Sequence, residues 1–171
     1  MKFKIVFILF LAFIKTFCQE KVTIDDLYFE DGIAYNKSDN KKFTGILQDK
    51  KKRNHIKWEE IYDNGSRTKI LVYFNIYNRQ VVCDEFIFNV KTSQKTKHIG
   101  YSSDGSRYWE TEFDENQKKK NFSFYKSNVL YTYQEFKNNK KHGKWFCIDK
   151  QGNKYEIEYN NGKKIKSQTI L

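Results

Sequence analysis

Turn signals recur along this chain at near-regular spacing, and they constrain its fold more than any other feature. They read Asp63-Asn64-Gly65-Ser66, Ser103-Asp104-Gly105-Ser106, Lys150-Gln151-Gly152-Asn153 and Asn160-Asn161-Gly162-Lys163. Asn-Gly and Asp-Gly favour tight hairpins because the central residues of a primed turn need positive φ. The flanking segments 70–74, 108–113 and 154–159 alternate in polarity or are rich in β-branched and aromatic residues. Period-two alternation is the pattern of a strand with one wet face. No stretch combines a 3.6-residue period with helix caps. The expected fold class is all-β: an elongated antiparallel meander of tandem β-hairpin repeats, ten to twelve short strands in an open sheet.

The units align on an aromatic residue placed after the turn. Tyr62-x-x-Gly65 is followed by Tyr73, and Tyr101-x-x-x-Gly105 by Phe113, each eight residues on. Asn128 takes the glycine slot of a weaker unit that leads to Phe136, and Gly152 leads to Tyr159. The slots at 105, 128 and 152 are 23 and 24 apart, whereas 65 to 105 is 40, which places a degenerate or shortened unit within 76–96. Gly65, Gly105, Gly143, Gly152 and Gly162 are read as the structural turn glycines. Proline is absent and aromatics are 18% of the chain, which excludes collagen-like, proline-rich and disordered readings.

Phe136-Lys137-Asn138-Asn139-Lys140-Lys141-His142-Gly143-Lys144-Trp145, followed by Gly152, resembles the aromatic-x-x-Gly-x-x-x-Gly-x-Trp signature of MORN-variant repeats, with Asn139 where glycine is commoner. Asp31-Gly32-Ile33-Ala34-Tyr35, then Lys42-Phe43-Thr44-Gly45, then Glu60-Ile61-Tyr62-Asp63-Asn64-Gly65 resembles the entry unit of the YwqK-type bacterial repeat proteins, a family commonly labelled antitoxin. The resemblance spans roughly 28–165 and implies a MORN-like open sheet of β-hairpins. It specifies architecture rather than activity.

Two lysines precede the apolar run 5–14, and Thr16, Cys18 and the polar Gln19 follow. That is the layout of a secretory signal peptide, too short for a membrane span. Cleavage is expected between Cys18 and Gln19. Lipidation of Cys18 is disfavoured because Lys15 and Phe17 stand where an aliphatic and a small residue are wanted. The expected organisation is signal peptide 1–18, linker 19–27, repeats 28–165 and tail 166–171, in a protein exported to the periplasm, cell surface or exterior.

The net charge is +11, and +8 once Lys2, Lys4 and Lys15 leave with the signal peptide. Only four of the 32 basic residues are arginine, the usual reader of phosphates and bases, so specific nucleic-acid binding is not expected. The lysine runs at 50–52, 118–120, 140–141 and 163–164 read as solvated hairpin tips.

Few residues suggest chemistry. His55, His98 and His142 show no metal-ligand spacing. His142 lies five residues before Cys147, but the repeat signature puts His142 in a turn and Cys147 in a strand. Glu110 with Glu112, and Glu156 with Glu158, share a strand face and read as solvated charge ladders opposite lysines. No catalytic residue, metal or cofactor is expected. Cys83 and Cys147 are expected as two free thiols, since five strand steps of about 4.8 Å separate them in a linear repeat and a disulfide needs α-carbons within about 7 Å. Tyr62, Tyr101, Trp109 and Trp145 recur near equivalent repeat slots and are the candidate aromatic binding face. The expected function is a protein-binding or scaffold module. The alternative is a peripheral binder of an anionic membrane or cell-surface polymer.

Overall fold

The computed structural model describes residues 20–51, 55–76 and 79–170. The signal-peptide reading, including cleavage between Cys18 and Gln19, falls outside them. Of the fourteen strands among the described residues, twelve form one sheet, in which the first strand, β1 (Glu20–Val22), lies beside β4 (Gly45–Lys50) and every later strand follows in chain order. After β4, its strands are β5 (Ile56–Asp63), β6 (Ser66–Ile76), β7 (Arg79–Phe88), β8 (Lys95–Tyr101) and β9 (Arg107–Phe113). It continues through β10 (Lys119–Lys126), β11 (Val129–Lys137), β12 (Lys140–Ile148), β13 (Lys154–Asn160) and β14 (Lys163–Ile170). From β4 onward every strand pairs antiparallel with its sequence neighbours, and β1 and β14 stand at two unjoined edges. The sheet is the open all-β meander that the turn spacing implies.

The turns explain this regularity. Two-residue loops with both residues at positive φ close β5–β6 (Asn64 47°, Gly65 81°), β10–β11 (Ser127 49°, Asn128 62°), β11–β12 (Asn138 51°, Asn139 61°) and β13–β14 (Asn161 47°, Gly162 91°). Their backbone twist matches that of the strands they join, and asparagine tolerates the left-handed region well enough to replace glycine. Longer loops are braced by an opening aspartate: Asp149 Oδ1 accepts from the backbone N–H of Gln151 (2.8 Å) and Asn153 (2.9 Å).

Several sequence assignments shift. A meander alternates its turns between the two ends of the strands, so Gly65 and Gly105, aligned above as equivalents, lie at opposite ends. Same-end turns are the true repeats. Arg107 N donates to Asn128 Oδ1 (3.0 Å), Gln117 Nε2 to Lys95 O (3.1 Å) and Gln80 Nε2 to Ile56 O (3.2 Å), linking positions 21, 22 and 24 apart. The unit expected to be degenerate or shortened within 76–96 is degenerate but not shortened, because β7 and β8 are joined by a loop at 89–94 that lacks a glycine. Gly143 is not in a turn. It lies inside β12 at a bulge where residues 142–144 oppose Glu135, and Glu135 fills the space a side chain on it would need. His142 is likewise a strand residue. The expected linker carries β1, paired parallel with β4, and the expected tail continues β14 to Ile170.

A single sheet cannot cover both its faces, so a compact core forms only where a second layer exists. That layer is the hairpin of β2 (Leu27–Glu30) and β3 (Ile33–Asn36), with the chain that returns to β4. Leu27, Ala34 and Phe43 pack against Leu47 and Tyr62 of the sheet. Backbone bonds fasten the layer to the β5–β6 turn: Gly65 N to Phe43 O (2.7 Å) and Ala34 N to Gly65 O (2.9 Å). Among the described residues, Ile99 is the one buried hydrophobic residue outside this cluster.

Candidate functional site

Residues paired in register share a face, which separates the two sides of the sheet. One continuous row runs Gln48, Glu59, Leu71, Glu85, Ile99, Glu110, Ser123. Glutamates sit on β5, β7 and β9 and apolar residues on β6 and β8. Glu59 is 6% exposed and Glu110 9%. Each carboxylate has a lysine partner: Lys69 with Glu85 (2.5 Å) and Lys97 with Glu110 (2.9 Å) from adjacent strands, and Lys21 with Glu59 (3.6 Å) from β1, two strands away. Tyr73 donates to Glu59 (2.5 Å) and Tyr101 to Glu85 (2.6 Å), while Arg107 takes that role at Glu110 (3.1 Å). Burial pushes the Tyr101 hydroxyl up to about 12, and the adjacent Glu85 charge adds to this. Burial also raises Glu85, but the bonds from Lys69 and Tyr101 outweigh it and hold the carboxyl below its ordinary value. This carboxylate face is internally neutralised. Glu110 is thus a buried, doubly paired carboxylate rather than a solvated rung, because Lys97 and Arg107 converge on it.

The opposite face is aromatic. Along its turn margin, each odd strand from β5 to β13 carries an aromatic residue at its last or next-to-last position that pairs in register with a cation at the first or second position of the next strand. The pairs are Tyr62 with Arg67, Phe88 with Lys95, Phe113 with Lys119, Phe136 with Lys141 and Tyr159 with Lys164. The cations reach the next aromatic in turn. Arg67 lies 4.5 Å from the Phe88 centroid, Lys95 4.2 Å from Phe113, Lys119 5.2 Å from Phe136 and Lys141 5.1 Å from Tyr159. These are cation–π distances, and the result is a ladder of alternating rings and charges running across the strands. Inward of it lie Phe86, His98, Phe122 and Trp145, and beyond them Trp109 and Phe124.

The four expected binding aromatics do not share a surface. Tyr62 begins the ladder but is 4% exposed, covered by Phe29 and Phe43 of the N-terminal layer, and belongs to the core. Tyr101 points to the carboxylate face, one residue out of phase with Gly100, the register partner of Trp109. Trp109 and Trp145 do share the aromatic face, half-buried. Trp145 Nε1 donates to Glu135 O (3.0 Å), and Lys141 sits 4.3 Å from its ring. The alignment by turns carried Phe113, Phe136 and Tyr159 as repeat positions without assigning them to the site, and it missed Phe88; the ladder is built from all four with their lysines. Their spacing of 25, 23 and 23 is the available sequence signal, obscured by pairing turns from opposite ends.

His98 stacks on Phe86 (3.9 Å between centroids), meets Trp109 edge-on (4.5 Å) and bonds Asp84 through Nε2 (2.8 Å). Cys83 precedes Asp84, but burial pushes its thiol up to about 11 and the neighbouring Asp84 carboxylate raises it further, opposite to what a nucleophile needs. Cys83 and Cys147 are both free, on β7 and β12. Among the described residues, no three His, Cys, Asp or Glu side chains cluster as a metal site, and no helix is long and apolar enough to cross a membrane.

No family model matches the chain, and no curated protein matches it. A solved structure, the crystal structure of the GtfA/B complex bound to UDP and GlcNAc, is similar at a TM-score of 0.47 and 13% identity, over 82% of this chain and 27% of that one. This chain therefore spans about a quarter of that structure's length.

Proposed function

We propose that this chain is a non-enzymatic, exported binding or scaffold module whose partner is a protein, and that the partner docks on the aromatic face from β7 to β13. One observation carries the reading. The same face, over β4–β6, already holds a docked layer in which Phe29 and Phe43 close on Tyr62, and the face continues past that layer with half-buried rings and nothing over them among the described residues. Half-buried aromatics beside cations are the chemistry of interface anchors. Export rests on the charge and hydropathy layout of residues 1–18. The antitoxin label of the resembling family names one class of protein partner.

The test uses the mature protein and a Phe113→Ala/Trp145→Ala variant that retains its circular dichroism. A protein captured from the exported fraction of the source organism by the wild type, and lost in the variant, supports the reading. Equal capture by both removes the aromatic face from it. Steeply salt-dependent binding to anionic vesicles without protein capture favours the membrane alternative. On the enzymatic side, His142→Ala and Cys147→Ser leave any activity within a few-fold of wild type. Near-total loss of a catalytic rate in either, with the fold intact, overturns the non-enzyme assignment.

A further inference from the structure

Resting on that reading, we infer that the uncovered part of the ladder takes an acidic, extended peptide segment of its partner, laid across the strands with a carboxylate at about every third residue. Three features of the molecule lead there.

The first is charge. On the carboxylate face, Lys69 and Lys97 are paired with Glu85 and Glu110, as described above. On the ladder, Arg67, at the edge of the N-terminal layer, is matched by Glu60 at 3.2 Å. Beyond that layer no carboxylate pairs with Lys95, Lys119, Lys141 or Lys164 among the described residues. The ammoniums of Lys95, Lys119 and Lys141 rest on ring faces, which orient them without neutralising them.

The second is the composition of the segment that already occupies this face. Asp25-Asp26-Leu27-Tyr28-Phe29-Glu30-Asp31 carries four acids and no base, within a chain of net charge +11. The molecule thus covers the start of its own aromatic face with an acidic stretch that also bears aromatics.

The third is spacing. Lys95 and Lys119 are the first residues of β8 and β10, and Lys141 and Lys164 the second residues of β12 and β14. On alternate strands, at about 4.8 Å per strand, their anchor points repeat every ~9.6 Å. An extended polyproline II chain repeats every three residues, about 9.3 Å. Its residues i, i+3, i+6 and i+9 can therefore meet successive lysines, while the side chains between them meet Phe113, Phe136 and Tyr159. Adjacent strands rotate by roughly 20–25°, so the line of lysines winds around the sheet. A rigid helix parts from such a line after a few rungs, whereas an extended chain follows it.

The experiment measures fluorescence anisotropy of the mature protein with three synthetic peptides of about a dozen residues, long enough to span the four lysines. One has glutamate at every third position among Gly, Ser and Leu. The second has the same composition with its glutamates in one block, and the third replaces glutamate by glutamine. The expected order is periodic over blocked over neutral, with affinity falling as salt rises. Lys95→Gln/Lys119→Gln/Lys141→Gln, checked by circular dichroism, weakens the periodic peptide by about tenfold or more. Equal binding of periodic and blocked peptides overturns the inference, as does a lysine variant that binds within twofold of wild type. Binding to anionic vesicles or a sulfated polysaccharide, with no peptide binding, overturns it as well. A captured protein that is lost in Phe113→Ala/Trp145→Ala but retained in the lysine variant overturns this inference and leaves the proposed function standing.

Discussion

Trp109 lies directly opposite Gly100 across β8 and β9, and its indole occupies the space that a side chain on Gly100 would need, with Cδ1 2.9 Å from the ideal Cβ position. The glycine is therefore a seat for the ring. Gly100→Ala displaces the indole and costs about 1–3 kcal/mol of stability by overpacking. In a Trp109→Ala background the same substitution costs much less, because the clash is gone. Urea unfolding of the two single variants and the double variant reads this coupling. Additive costs would show that the ring does not depend on Gly100.

Glu59 accepts hydrogen bonds from Gln48 and Tyr73 in a buried setting and pairs with Lys21. Glu59→Ala strands Gln48 and the Tyr73 hydroxyl together, and is expected to cost about 2–4 kcal/mol. Tyr73→Phe, which leaves Glu59 its other partners, costs about 1 kcal/mol. Denaturant midpoints test the order. A Glu59→Ala variant as stable as the wild type would mean that the buried carboxylate row adds nothing to the fold.

Tyrosine ionisation sets the alkaline limit of stability. The folded state holds the Tyr101 proton more tightly than the unfolded chain, raising its value from 10.0 to about 12. A raised folded value gives stability that is complete below 10.0 and is lost as pH rises toward about 12. Tyr73 is raised as well, by burial first and by Glu59 second. Tyr101→Phe therefore makes the alkaline limb of the stability profile shallower. Glu85 acts at the other end: its value is lowered from 4.5, so its contribution is present above 4.5 and is lost as pH falls through the lower folded value. Spectrophotometric titration showing Tyr101 ionising at its ordinary value in the folded protein would contradict the first half of this account.

Cys83 is a poor nucleophile in the folded protein, with its thiol pushed up to about 11 by burial and by Asp84. Alkylation at neutral pH is expected to be much slower for folded Cys83 than for the same residue in denaturant. Mass spectrometry of the mature protein under non-reducing conditions is expected to show no Cys83–Cys147 bond. Fast native labelling at Cys83, or such a bond, would require β7 and β12 to lie differently.

Much of the architecture was legible in the residues. Asn64-Gly65 and Asn161-Gly162 marked hairpins because positive φ at two consecutive positions is a local demand with few solutions. The five-step separation of Cys83 from Cys147 followed from counting strands. The candidate site was only partly legible. Trp109 and Trp145 were placed on it, whereas Phe113, Phe136 and Tyr159 were visible as repeat positions but not as site residues, and Phe88 was missed, since their shared margin emerges only when turns are sorted by strand end. Turns without glycine, at Ser127-Asn128, Asn138-Asn139 and 114–118, disguised that sorting.

The sequence by itself determined that this chain alternates strand and turn along nearly its whole described length, because turn φ preferences and period-two polarity act within a few residues. Tertiary structure alone decided which surface each side chain reaches. Register shifts at Val72/Tyr73, Ile87/Phe88, Gly100/Tyr101 and elsewhere reset the alternation between strands. They left Tyr101 bonded to Glu85 on one face and Trp109 on the other. Tyr62 is buried because the separate layer of β2 and β3 folds back over it, which no spacing around Tyr62 encodes. Facing and burial are set by pairing between distant segments, and that pairing is a property of the assembled sheet.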